Sequence, residues 1–336
     1  MMETPEGKWT TDALLELGRS YQGAAILLAA AELDLFTRLR AGPKIATELA
    51  VELQCDPRGM RLLLDALVAL GLTDKLGDTY RLPSGLESLL TATGDHSILA
   101  MAQHQANCLR NWAQLAEVVQ TGRPAPRIPS IRGESRDQEA FIEAMHCISA
   151  PNAAHVIEPV RTLPFRHLLD IGGGSGTWTI AFLRACPSAT ATVFDLPAVI
   201  PLAARRMSAE GLTGRVQLVP GDFMADALPA GADLAWISAI VHQNSRAENQ
   251  TLFAKVFRAL LPGGHIAIRD MVMDKTHTQP VAGALFAINM LVATQGGGTF
   301  SFDELREDLE KTGFVNATQS RQDLGMNSVV IAEKPS

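Results

Sequence analysis

The chain has 336 residues, 47 % hydrophobic and 19 % charged, and a net charge of −7. That length makes room for two domains or one large one, and the acidic balance argues against a polyanionic partner. The apolar run Ala24–Ala31 falls short of the about 20 residues that cross a bilayer, and the opening MMETPEGKWTTD has neither a basic n-region nor an apolar h-region.

Residues 12–120 read as mostly helical. LLELGRSYQGAAILLAAAELDLFTRL is rich in alanine and leucine with few polar breaks, so it is expected to be buried in a core or against another chain. KIATELAVEL (44–53) and PRGMRLLLDALVALG (57–71) are two short helices, the second opened by Pro57. In LTDKLGDTYRLP, Gly77-Asp78 between extended residues predicts a small hairpin. Helix–turn–helix plus hairpin is a winged-helix pattern. A DNA-reading helix needs an exposed face of base- and phosphate-contacting side chains, yet this second helix offers Arg58 and Arg61, then Asp65, among apolar residues. Burial in a dimer interface explains it better than nucleic-acid binding.

TGRPAPRIPSIRGESR (121–136) reads as a loop, followed by a helix with Phe141, Met145 and Ile148 along one face. From His167 the rhythm becomes strand–helix alternation: strands HLLDI, TATVFD, VQLVPGD, DLAWISAIV and HIAIRDMVM, with helices at 177–185, 198–210 and 246–260. Such alternation implies βαβ units and a parallel sheet. A helix at 302–312 and two extended runs, FVNATQSRQDL and NSVVIAEK, close the chain as an antiparallel edge hairpin. Cys55, Cys108, Cys147 and Cys186 form no CxxC pair and fit free thiols of a cytoplasmic protein. No short metal-ligand spacing appears.

DIGGGSG (170–176) follows the first of these strands, where open α/β sheets bind ligands. It is not the dinucleotide fingerprint, because the third glycine of GxGxxG would fall on Thr177; the spacing is Asp170, Gly172, Gly174, Gly176. Asp195 ends the second strand, where a carboxylate accepts both hydroxyls of a ribose. GDFM ends the third and places Asp222 and Phe223 where an amino group and a ring face are met. The loop has no lysine and no GK[ST], which argues against a triphosphate and suits a nucleoside without a phosphate chain. For Asp170 alone, capping of local backbone amides is the alternative.

DIGGGSG, together with AELDLF and LPGG, resembles the plant-type O-methyltransferases and their bacterial relatives, which include caffeate, hydroxyindole and polyketide-tailoring enzymes. The resemblance covers about residues 12–334. It implies an α/β fold with a class I methyltransferase Rossmann-like sheet, mostly parallel with an antiparallel terminal hairpin, plus an N-terminal helical winged-helix dimerisation domain. The expected layout is a dimerisation domain over 1–120, a connecting loop and substrate-lining helix over 121–160, and a cofactor domain over 161–336. It further implies S-adenosylmethionine (SAM) on Asp170, Gly172, Gly174 and Gly176, with Asp195 and Leu196 at the ribose, Asp222 and Phe223 at the adenine, and Ser238 where relatives often carry a lysine.

His242 lies just past the fourth strand. A phenol with pKa about 10 costs about 4 kcal/mol to deprotonate at pH 7, and a histidine can remove that proton as methyl transfer proceeds. In the family this position is the general base. Relatives follow it with Asp-Trp and flank it with two acids. Here His242-Gln243-Asn244 stands instead, Asp270 matches one acid, and the other falls near Thr299, leaving Gln243 as a candidate substitute. The resemblance also puts substrate contacts on Phe141, Met145, His146, Phe286, Asn289, Met290 and Val292. AGALFAINMLVAT (282–294) reads as an apolar helix whose odd polar member, Asn289, is either aimed at the ligand or a capping or packing compromise. His96, His104, His155, His167, His265 and His277 read as structural or surface residues. Expected, therefore, is a homodimeric O-methyltransferase acting on a small natural product. C- or N-methylation, a non-methylating use of bound SAM, and a non-catalytic winged-helix regulator remain the alternatives.

Overall fold

The structure, a computed structural model, describes residues 9–336, which fall into two units: residues 9–110 with 128–147, and Asn111–Arg127 with Ile148–Ser336. The first opens with helices α1 (Thr11–Arg19), α2 (Tyr21–Glu32) and α3 (Leu35–Arg40), then β1 (Lys44–Ile45), α4 (Ala46–Glu52), α5 (Pro57–Ala69), β2 (Asp74–Leu76) and β3 (Thr79–Arg81). After these come α6 (Ser84–Leu90), α7 (Leu99–Trp112) and, beyond α8 (Leu115–Thr121) of the second unit, α9 (Glu134–Ser149). Asp56 caps α5 by accepting from the Gly59 amide at 2.7 Å, with Pro57 in the first turn. Gly77, at φ +57°, turns β2 into β3, and β1 adds antiparallel to β3. Leu35, Phe36, Leu49, Met60, Leu64, Leu67 and Tyr80 fill this winged-helix core.

Two expectations need correcting here. The alanine- and leucine-rich stretch is three helices rather than one, broken at Ser20 and again at Asp34, whose left-handed φ of +55° an aspartate tolerates. Its first part is not buried within the chain: α1 has no buried residue, and Trp9, Leu14, Leu15, Leu17 and Tyr21 are exposed. The run at 44–53 also starts as a strand, because Lys44–Ile45 pairs with Tyr80 and Thr79 before α4 begins.

In the second unit, two single-turn helices, α10 (Ala153–Val156) and α11 (Glu158–Arg161), precede β4 (His167–Ile171), α12 (Thr177–Ala185), β5 (Thr190–Asp195), α13 (Ile200–Ala209) and β6 (Val216–Pro220). Then come β7 (Ala232–Ser238), α14 (Arg246–Ala259), β8 (Leu260–Asp270), β9 (Val272–Met273), α15 (Val281–Ala293), β10 (Phe300–Ser301), α16 (Phe302–Lys311), β11 (Val315–Arg321) and β12 (Ser328–Glu333). The seven-stranded sheet runs β11-β12-β8-β7-β4-β5-β6. It is parallel from β8 to β6, while β12 is antiparallel to both β8 and β11.

Alternation puts Leu169, Ile171, Ala235, Ile237, Ile266 and Ile268 on one face, against Leu252, Phe253 and Val256 of α14 and Leu305 and Leu309 of α16. Leu168, Leu234, Trp236 and Ala267 line the other face against Phe182 and Leu183 of α12 and Met207 of α13. The observed strand starts earlier than the expected HIAIRDMVM, taking LPGG into β8, and Val272–Met273, expected in that strand, pairs instead with β10.

β4 has β5 on one side and β7 on the other, so chain connections leave it in opposite directions. The crevice beyond such a switch point is where a ligand fits. Gly176 starts α12 there with φ +82°, and a Cβ on it would fall 2.1 Å from Met207 Cε. Gly176→Ala is expected to cost about 1–3 kcal/mol, from left-handed strain plus displacement of Met207. A denaturant midpoint unchanged at constant m-value would contradict this.

Candidate active site

Asp170, near the end of β4, is 1 % exposed. Thr179 Oγ1 of α12 donates to its Oδ2 at 2.6 Å, while Oδ1 is buried without any partner among the described residues. Burial, reinforced by the nearby Asp195 carboxylate, pushes its pKa up to about 7 against the pull of Thr179. The turn that follows takes positive φ at Gly172, Gly174 and Gly176. A Cβ at Gly172 would meet Ile240 Cδ1 at 2.6 Å, whereas one at Gly174 would meet nothing within 4 Å, so the turn is tight at its base and open at its tip.

The end of β5 grips that tip. Asp195 Oδ2 accepts from the Gly174 amide and Oδ1 from the Leu196 amide, each at 2.7 Å. Burial raises the Asp195 pKa, opposed by these amides. Each carboxylate oxygen keeps a further lone pair, the arrangement that two vicinal hydroxyls need. Leu196 itself is exposed. Beyond β6, Asp222 Oδ1 accepts from the Met224 amide at 2.8 Å. The Phe223 ring packs on the core, its Cε1 3.7 Å from where a Gly172 Cβ would sit. Contacts thus join the glycine turn, Asp195, Leu196 and Phe223, with Asp222 adjoining. Ser238, at the end of β7, lies on the α12 face and accepts from Arg269 Nη1 at 3.2 Å.

Past Ser238, Ala239 takes φ +58° and the chain enters a short turn over Val241–Gln243. His242 is 6 % exposed; its Nδ1 lies 2.7 Å from Asp270 Oδ1 at the end of β8. Asp270 also accepts from the Met271 amide at 2.7 Å, so it is held as an acceptor and His242 Nδ1 carries the hydrogen. The Nε2 lone pair is then left without a hydrogen-bond donor among the described residues. Phe286 of α15 meets the imidazole edge-on at 4.8 Å and 85°. The backbone is fixed as well: Gly298 donates to His242 O at 2.9 Å, and a Cβ on Gly297 would fall 2.5 Å from that oxygen.

Thr299 sits beside this contact, but its hydroxyl is directed to Gly283 O at 3.5 Å, and Gln243 Nε2 donates to Ala239 O at 2.9 Å. Neither side chain makes a hydrogen bond to the imidazole, which meets one carboxylate among the described residues, that of Asp270. On α15, Asn289 Oδ1 accepts from Trp112 Nε1 at 2.9 Å and Met290 is buried. In the first unit, Phe141 of α9 is exposed and lies 5.0 Å from the His104 ring, with Met145 and His146 half-buried. Sequence reading missed Thr179, Arg269 and Gly297. Only Gly297 carried a signal, as the middle of three consecutive glycines.

An acid whose folded pKa lies above its unfolded value destabilises the fold as it ionises. The penalty from Asp170 is absent below its ordinary value of 3.8, grows as pH rises toward 7, and is complete above it. It amounts to about 4 kcal/mol. Ligand-free protein is therefore expected to lose stability between pH 5 and about 7.5, and Asp170→Asn to flatten that slope; parallel slopes would contradict the assignment. A cationic ligand group at Oδ1 would relieve the penalty.

The O-methyltransferase domain model matches residues 112–315, and the O-methyltransferase dimerisation domain model matches residues 15–82. The chain is 32 % identical over 301 residues to 3-hydroxy-5-methyl-1-naphthoate 3-O-methyltransferase of Streptomyces sahachiroi, covering 87 % of this chain and 86 % of that one. It is 30 % identical over 332 residues to the tetracenomycin polyketide synthesis 8-O-methyl transferase TcmO of Streptomyces glaucescens, covering 96 % of each. The solved structure of PigF with SAH superposes with a TM-score of 0.84 at 25 % identity, over 97 % of this chain and 100 % of that one. The chain belongs to the SAM-dependent O-methyltransferase family.

Proposed function

We infer that this enzyme methylates a phenolic hydroxyl of a small aromatic natural product, with His242 as general base. The observation that carries the reading is the buried His242–Asp270 pair, one strand away from the glycine turn. The two Streptomyces relatives, named for O-methylation of a hydroxynaphthoate and of a polyketide, support the substrate class.

The residues present fit SAM. Buried and unpartnered, Asp170 Oδ1 suits the cofactor's amino group; Asp195 suits its ribose, Asp222 and Phe223 its adenine, and the open tip at Gly174 its close approach. Bound there, SAM supplies an electrophilic methyl group. The protein then has to position the hydroxyl and remove its proton. His242 takes that proton at Nε2, and Asp270 stabilises the resulting imidazolium through Nδ1–H. Phe286 keeps the ring from turning away, and Phe286, Asn289 and Met290 serve as substrate contacts on α15. The uncovered apolar face of α1 and the dimerisation-domain match support a homodimer formed through the N-terminal helices.

Calorimetric titration with SAM and S-adenosylhomocysteine (SAH), followed by incubation with phenols, tests the reading. A product heavier by one CH2 and mapped to oxygen by NMR supports it. Absence of cofactor binding, or methylation on carbon or nitrogen, refutes it.

A further inference from the structure

Lys255 of α14 is half-buried, and its ammonium meets three backbone carbonyls of one loop: Phe223 O at 2.9 Å, Met224 O at 2.6 Å and Asp226 O at 2.9 Å. An ammonium has three hydrogens, so this one is fully engaged without any carboxylate. The loop also closes on itself. The Ala225 and Asp226 amides donate to Asp222 O at 3.0 and 2.7 Å, and the Asp222 amide donates to Asp226 Oδ2 at 2.8 Å. Turning three carbonyls toward one point sets their dipoles against each other unless a cation occupies that point.

We propose that Lys255 is a positioning residue for the cofactor, holding the 222–226 loop so that Asp222 and Phe223 meet the purine. Phe223 is wedged between the core and Gly172, so the loop and the glycine turn are in register only while that ring stays in place. Asp222 has one oxygen on the Met224 amide; the other, without a protein hydrogen bond among the described residues, can accept an exocyclic amine. Lys255 hydrogen-bonds the backbone of Phe223 and, among the described residues, makes no contact with its ring and no hydrogen bond to the Asp222 carboxylate. It fixes the backbone between and beyond them, and its effect falls on recognition of the base rather than on proton removal at His242. This rests on the SAM reading of the site.

The test is SAH affinity, with S-inosylhomocysteine as the probe that replaces the purine amine by a carbonyl, in wild type and Lys255→Met. The methionine variant is expected to bind SAH about tenfold or more weakly, to lose most of its preference for SAH over the inosyl analogue, and to show the change in KM for SAM rather than in kcat. Lys255→Arg, which keeps donors and charge, should recover part of the affinity. If Lys255→Met does not fold, Lys255→Gln, neutral with two donors, serves the same comparison. Wild-type affinity and discrimination in the neutral variant would overturn the proposal, as would a loss confined to kcat. Failure of the wild type itself to bind SAH would overturn the cofactor reading and this proposal with it.

Discussion

His242→Ala is expected to lower kcat/KM by about 10²–10⁴ while SAH affinity stays within about twofold. The loss should scale with the nucleophile. A phenol of pKa about 10 arrives protonated at pH 7 and needs the base; one acidified to pKa about 7 is already half ionised and should lose far less. Activity of wild type and variant across a series of phenols checks this. Equal losses along the series would mean that His242 positions substrate and does not take its proton. Because Asp270 is the one carboxylate on the imidazole among the described residues, Asp270→Asn should reproduce much of the defect.

Asp195→Ala should weaken SAH binding by about 10²-fold, from loss of two charge-assisted hydrogen bonds to a ribose. The same carboxylate also holds the Gly174 and Leu196 amides at 2.7 Å, so its removal loosens the turn as well. The two effects separate with a 2′-deoxy analogue of SAH. If the ribose contact dominates, the wild type discriminates against the deoxy ligand and the variant does not; if the turn dominates, both ligands weaken together. Wild-type affinity in Asp195→Ala would remove the ribose from this end of β5.

Most of the second unit was legible because period-two and period-3.6 patterns alternate there without interruption: Thr177–Ala185 was placed to the residue, as were His167–Ile171 and Thr190–Asp195. Asp195 and the glycine spacing were legible for a related reason, since both sit at strand ends fixed by topology. The rest depends on contacts between distant residues. Lys255 grips backbone oxygens, which no sequence displays. Asn289 stood out as the polar member of an apolar helix, but its partner Trp112 lies 177 residues away. The apolar length of α1 was plain, yet composition cannot distinguish a helix covered by its own chain from one left bare.

The order of strands in the sheet has a consequence for synthesis. β8 ends at Asp270 and is flanked on one side by β12, with Ser328 opposite Asp270. That neighbour is translated after everything else in the sheet. A growing chain on the ribosome therefore already carries the glycine turn, Asp195 and the histidine while the strand bearing the histidine's carboxylate is still an open border, lacking half of its backbone hydrogen bonds. A product cut short before Ser328 is therefore expected to be inactive however well its cofactor turn has formed.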